Sequence, residues 1–195
     1  MKMWPLMNVI SIIEYMKTFE VFLKLENRDK IILTKHVTKM ATHLMSAFFS
    51  YSNKSDLTLN PDGSHTLHRP GAERSKHFVA VNRSIIASLI RLQPDRQEYV
   101  LLKAILICCD ALSELSPSGR SLLSSARSRY ANALLSYTMA SRDIVRGAAA
   151  YADLLGMLDQ LERVTRMDKD VHLLLHALGL FKHEMAPILQ EVNED

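Results

Sequence analysis

Cysteine is almost missing from this chain: only Cys108 and Cys109 occur, side by side. Two thiols exclude a structural zinc module, and their scarcity suits a reducing compartment. Long apolar runs are missing too, and no stretch reaches the ~20 residues that a membrane-spanning helix needs. There is no glycine-rich phosphate loop, no repeat and no low-complexity tract. Charge of one sign does not dominate, because the formal net charge is only +3. The lysines and arginines are scattered without interleaved aromatics, which argues against direct nucleic-acid binding. Lys2 and the apolar stretch Met3 to Ile13 resemble the start of a signal peptide. Glu14 and Lys17 follow at once, with no small-residue cleavage pattern, so an amphipathic helix is the better reading.

What is present is helical periodicity. Hydrophobic residues make up 48% of 195 residues, enough for one domain with one sizeable core. Leu6, Val9, Ile10, Ile13 and Met16 fall at helical spacing, predicting a helix over about 4–19 with Pro5 in its first turn. Asn27 is placed to cap a second helix with the stripe Leu33, Val37, Met40, Ala41, Leu44, Met45 and Phe48. Leu57 and Leu59, the turn Pro61-Asp62-Gly63 and then Leu67 predict a small β-hairpin. Helix returns with Phe78, Val79, Ile85, Ile86, Leu89 and Ile90. Asp95 and Glu98 have capping-box spacing, ahead of the stripe Tyr99, Leu102, Leu106 and Cys109. Ser116-Pro117 is an N-cap followed by proline at the first helical position. A long helix is expected from about 144 to 180, roughly 55 Å if continuous. Pro187 sets off a short amphipathic segment, Ile188 to Val192.

Two histidine pairs, His172 with His176 and His65 with His68, are close enough in sequence to suggest a metal. No glutamate accompanies the first pair in a metalloprotease pattern, and we expect no metal. No serine–histidine–acid set stands out.

Tyr15-Met16-Lys17, then Phe22, Leu25, Asp29-Lys30 and Leu33, resembles the spaced signature of nuclear hormone receptor ligand-binding domains. Glu98 to Cys108 is similar to the family's helix eight, and Tyr151 to Val164 to its helix ten. "EYMKTF" and "AFFSYSNKSDL" resemble the nematode branch. The resemblance covers nearly the whole chain. It implies an all-α, three-layer antiparallel helical sandwich with one small β-hairpin. It also implies a single domain over 1–195 that lacks the family's helices one and two and any zinc DNA-binding module. The expected work is non-enzymatic: regulating transcription in the nucleus by recruiting a co-regulator. The alternative is a ligand-independent fragment acting as a dimerisation or interaction module.

Particular residues follow from the resemblance. The co-regulator groove would take an LxxLL-type helix between a cation, Lys17 assisted by Lys35, and an anion, Glu191. Ile13, Ile31 and Ile188 would form its floor. Taken singly, Lys17 and Lys35 read better as ordinary solvated lysines; the spaced signature is what favours the clamp. A pocket would be lined by Trp4, Met7, Asn8, Ser11, Thr42, Met45, Ser46, Phe49 and His172. The resemblance allows a small lipophilic ligand there and calls for no other cofactor; a filled core uses the same residues. Phe49 stands where retinoid-type receptors place an arginine for an acid ligand, so acid recognition is not implied. Leu154, Leu155, Leu158 and Leu161 would meet a homo- or heterodimer partner, with Leu155 and Met157 turned partly away from the domain. Glu98 would pair with Arg163. No membrane contact is expected.

Overall fold

The computed structural model describes residues 4–65, 76–178 and 186–194, with the backbone alone at 76–82, 175 and 194. Among these residues the fold is all-α. The elements are α1 (Trp4–Met16), α2 (Glu20–Lys24), α3 (Asn27–Ser52), α4 (Lys76–Leu92), α5 (Arg96–Ile107), α6 (Pro117–Arg142), α7 (Ile144–Ala177) and α8 (Pro187–Glu194).

The expected first helix stops at Met16, and the separate turn α2 buries Val21 and Phe22. Asn27 does not cap α3: the cap position is Glu26, whose side chain makes no capping bond. The stripe of α3 behaves as its spacing requires, with Leu33, Val37, Ala41 and Leu44 all 0–1% exposed. The β-hairpin is not formed among the described residues. Only an isolated bridge joins Leu59 to His65, around a turn closed by Gly63 N donating to Asn60 O at 2.9 Å. Gly63 supplies the positive φ of 79° that this turn needs. Ser50 Oγ then accepts from Leu59 N at 2.9 Å, so a helix hydroxyl satisfies the backbone donor that a partner strand would otherwise take. Leu67 lies outside the described residues, as do the side chains of Phe78 and Val79.

The starts of α5 and α6 are set by the residues that predict them. Asp95 and Glu98 make the reciprocal capping box at the start of α5. Ser116 caps α6 through Gly119 N at 3.0 Å, with Pro117 following. Asp143, at φ 121°, breaks α6 from α7 and caps the latter through Arg146 N. Gly147 permits that sharp junction, since a Cβ there would run into the α6 backbone at Thr138 and Met139. The 34-residue α7 is continuous, about 51 Å long.

α3 is the hub, packing against α1, α4, α5, α7 and α8. α5 also packs on α6, α4 packs on α7, and α6 packs on α7. Ile12, Met16, Leu33, Leu44, Ile85, Ile86, Leu89, Leu102, Ile105, Leu123, Leu134 and Leu161 fill the joint core. An aromatic seam runs beside it: Phe48 stacks on Tyr99 at 3.8 Å, and Lys103 Nζ sits 3.8 Å over the Tyr15 ring. Burial pushes the Tyr99 phenol up to about 12 and pulls the Lys103 ammonium down.

Candidate functional site

The groove residues expected from sequence lie on or just after α1, α3 and α8, three helices that pack on one another. α8 packs against α1, α3 and α7. Its Val192 is 4% exposed while Glu191, one residue earlier, is exposed. That is the amphipathic division its pattern requires. Lys17 follows the last turn of α1 and is exposed; its ammonium lies 2.6 Å from Glu14 Oε1. Both partners are more than half exposed, so this ion pair is weak and a better acceptor can displace it. Ile31 is 58% exposed on α3, while Ile13, Ile188 and Lys35 are half-buried.

The expected pocket residues differ in exposure and in their local hydrogen bonds. Met7, Ser11 and Phe49 are exposed, and Ser11 Oγ is spent on the Met7 carbonyl at 2.8 Å. Trp4, half-buried, donates from Nε1 to Asp62 at 3.2 Å. Thr42 donates to the Thr38 carbonyl, and Ser46 accepts from Ser50 through its own carbonyl. Asn8, Met45 and His172 are half-buried, with Met45 packed on the core. A cleft of about 260 Å³ lies elsewhere, between α4, α6 and α7, bordered by Arg91, Arg142, Arg146 and Asp153.

Two further expectations are corrected. Glu98, fully buried, pairs with Arg142 rather than Arg163: its Oε2 accepts from Arg142 Nη2 at 2.7 Å and from Asp95 N at 3.0 Å. Arg163 is exposed on α7. Reach decides this, because α6 ends beside the start of α5, and Tyr137 on α6 already bonds Asp95 there at 2.7 Å. Leu154 and Leu161 are 1% and 0% exposed, so they belong to this domain's own core and not to a dimer surface. Met157, expected to turn partly away, is 2% exposed. Leu155 and Leu158 are half-buried beside exposed Asp159, Glu162 and Arg166.

Sequence reading missed a polar cluster under α8. Lys39 is 8% exposed on α3, and its Nζ lies 2.9 Å from Asp168 Oδ2 on α7. The same ammonium donates to Asn193 Oδ1 on α8. His43 Nε2 faces Asp168 at 3.5 Å, within reach of its charge but outside hydrogen-bonding geometry. Burial alone would raise the Asp168 carboxyl, but His43 and Lys39 outweigh it and hold the group far below the usual carboxylate range. The available signal was Lys39 and His43, four apart on the flank of the α3 stripe. Asp29 is a second buried carboxylate, 1% exposed, accepting from Ser116 Oγ at 2.6 Å and Ser116 N at 3.0 Å. Those two bonds lower its pKa. Among the described residues no group of three or more metal-ligating side chains occurs, and no helix is long and apolar enough to cross a membrane.

The chain is an all-α domain whose hub helix α3 is packed by α1, α4, α5, α7 and the terminal α8. Residues 3–176 match the ligand-binding domain of nuclear hormone receptor, and the chain belongs to that family. It is 40% identical to nuclear hormone receptor family member nhr-60 of Caenorhabditis elegans over 90% of this chain and 38% of that protein. It is 35% identical to family member nhr-136 of the same nematode, over 86% of this chain and 39% of that protein. Family member nhr-154 is 29% identical over 91% and 39%. The chain therefore spans about two-fifths of the length of these curated relatives. The family is generally non-enzymatic, and regulation of transcription is what it implies.

Proposed function

We propose that this domain recruits a co-regulator in the nucleus by binding a short LxxLL-type helix on the α1–α3–α8 face, and so regulates transcription. The observation that carries this is the seating of α8. Val192 is turned inward and Glu191 outward on a helix that packs against α1 and α3; in this reading Glu191 and Lys17 are the two charged borders of a surface floored by Ile13, Ile31 and Ile188. Physically, a partner helix offers unpaired amides at its N-terminus and unpaired carbonyls at its C-terminus. Glu191 suits the first and Lys17, with Lys35, the second; the charges fix orientation and the isoleucines bury the partner's leucines. Fluorescence anisotropy with an LxxLL peptide tests it. Lys17→Ala and Glu191→Ala should each weaken binding by about 1–3 kcal/mol, the value of a charge-assisted hydrogen bond. Unchanged affinity in both variants would refute the groove.

Dimerisation through α7, around the half-buried Leu155 and Leu158 and the exposed charges beside them, is part of the same proposal. A small lipophilic ligand near Trp4, Asn8, Met45 and His172 is its other part. The exposure of Met7, Ser11 and Phe49 favours a second reading, a partner-binding module that works without a ligand.

A further inference from the structure

The polar cluster beneath α8 has no counterpart in the groove chemistry, yet it joins three helices. Lys39 on α3 is the shared element, giving one ammonium to the Asp168 carboxylate on α7 and to the Asn193 amide oxygen on α8. Asn193 is held in the matching orientation, because its Nδ2 donates to the Leu189 carbonyl one turn back. An asparagine suits the position: its oxygen serves Lys39 while its nitrogen serves the helix's own backbone. The neighbouring Val192 is buried at 4% exposure, so the contact lies where α8 meets the domain and not on its outer rim. Lys39 and Asp168 have side chains only 10% and 17% exposed, which weakens the competition from water that makes surface pairs negligible. His43 Nε2 lies 3.5 Å from Asp168 Oδ2, and His43 and Lys39 together favour the charged carboxylate.

We infer that Lys39, Asp168 and Asn193 form a latch that positions α8 by contacts internal to the chain, so that the partner-helix face forms without a small molecule. The inference rests on the co-regulator reading of that face and names how the face is regulated. The contacts that make the latch run between α3, α7 and α8 of this polypeptide. The latch residues are positioning residues: they act on a partner only through the placement of Glu191 and Ile188.

The test uses the full chain, stripped of small molecules by extraction and refolding. Hydrogen exchange is read at the amides of α8 and, as an internal reference, at those of α5; LxxLL-peptide affinity is measured by anisotropy. In the stripped wild-type protein α8 should be protected. Asn193→Leu keeps the number and branching of the side-chain heavy atoms but removes the bond to Lys39. It should speed α8 exchange and weaken peptide binding, each about tenfold, the worth of one hydrogen bond to a charged group. Exchange in α5 and the thermal midpoint should stay unchanged; a merely structural contact would shift the midpoint instead. The paired variant Lys39→Met with Asp168→Asn removes the cation without stranding a buried charge, and should free α8 to the same degree. The latch is overturned if α8 is unprotected in the stripped wild type, or if both variants exchange as slowly as it does. If the variants release α8 while no LxxLL peptide binds the wild type, the latch stands and the groove assignment fails.

Discussion

Arg142 should be far more important to stability than its position at the end of α6 suggests. It is the partner of Glu98, whose side chain is fully enclosed, and the pair is closed by a 2.7 Å bond. Removing one member of such a pair leaves the other as an uncompensated charge in a poorly solvated site. Glu98 would keep its bond from Asp95 N, but its other oxygen already has no hydrogen-bond partner in the protein. Buried pairs broken on one side cost about 3–5 kcal/mol; because Arg142 is itself 31% exposed, water screens part of this, and about 3 kcal/mol is expected for Arg142→Met. For a domain of this size that lowers the thermal midpoint by roughly 6–12 °C. Calorimetry at neutral pH reads this directly, with Arg163→Met as the control, expected within about 0.5 kcal/mol of wild type. Glu98→Gln keeps the capping acceptor while removing the charge, so adding it to Arg142→Met should restore about 1–2 kcal/mol. The reasoning fails if Arg142→Met and Arg163→Met melt together, or if the double variant is less stable than Arg142→Met alone.

Two further outcomes follow from the buried carboxylates and from α7. The folded pKa values of Asp29 and Asp168 lie below the ordinary unfolded value of about 3.9, so the stability they add is present above that pH and drains away as pH falls through and below it. Urea titrations between pH 6 and 3 (roughly the window set by that reference value) should show Asp168→Asn losing less stability than wild type; parallel curves would contradict the assignment. For the dimer, sedimentation at tens of micromolar should show a wild-type dimer and a monomeric Leu155→Arg of unchanged helicity, because a twofold contact receives the charge twice; a strictly monomeric wild type would remove the α7 interface.

Helix positions were legible in the sequence because one face of each helix must be apolar at a period near 3.6, and that signal is local. Leu33, Val37, Ala41 and Leu44 could be placed in the core from spacing alone, and the caps at Asp95, Glu98 and Ser116 from residue type and offset. Apart from the cap at Asn27 and the early end of α1, what failed was non-local. The hairpin needed two paired strands, yet Ser50 on α3 satisfies the Leu59 amide that the pairing would have used. Glu98 was recognised as half of an ion pair, but an isolated charge does not name its partner, and Arg142 rather than Arg163 is the arginine the chain path delivers. In α7, leucines at adjacent positions looked like two faces, and burial assigned Leu154, Met157 and Leu161 to one continuous inner stripe. Of the groove, the exposed Lys17, Ile31 and Glu191 were placed by resemblance, whereas Lys39, Asp168 and Asn193 come from helices far apart in sequence.

The buried polar groups share one structural task. Leucine stripes press helices together but allow sliding and rotation, since hydrophobic burial is non-directional. A buried charge is directional, because its hydrogen bonds must be made or its desolvation goes unrepaid. Here each one fastens a helix end. Asp29 ties the start of α3 to the cap of α6, and so closely that a Cβ on Gly119 would collide with its carboxylate. Glu98 ties the start of α5 to the end of α6. Lys39 ties the middle of α3 to α7 and to the end of α8. The first two join long helices with apolar stripes of their own, so they set register within a core that already coheres. α8 has eight residues and one fully buried apolar side chain, Val192, among those described, so its placement depends far more on the polar contact. That difference is why the third tie, and not the other two, is placed to act as a regulatory element.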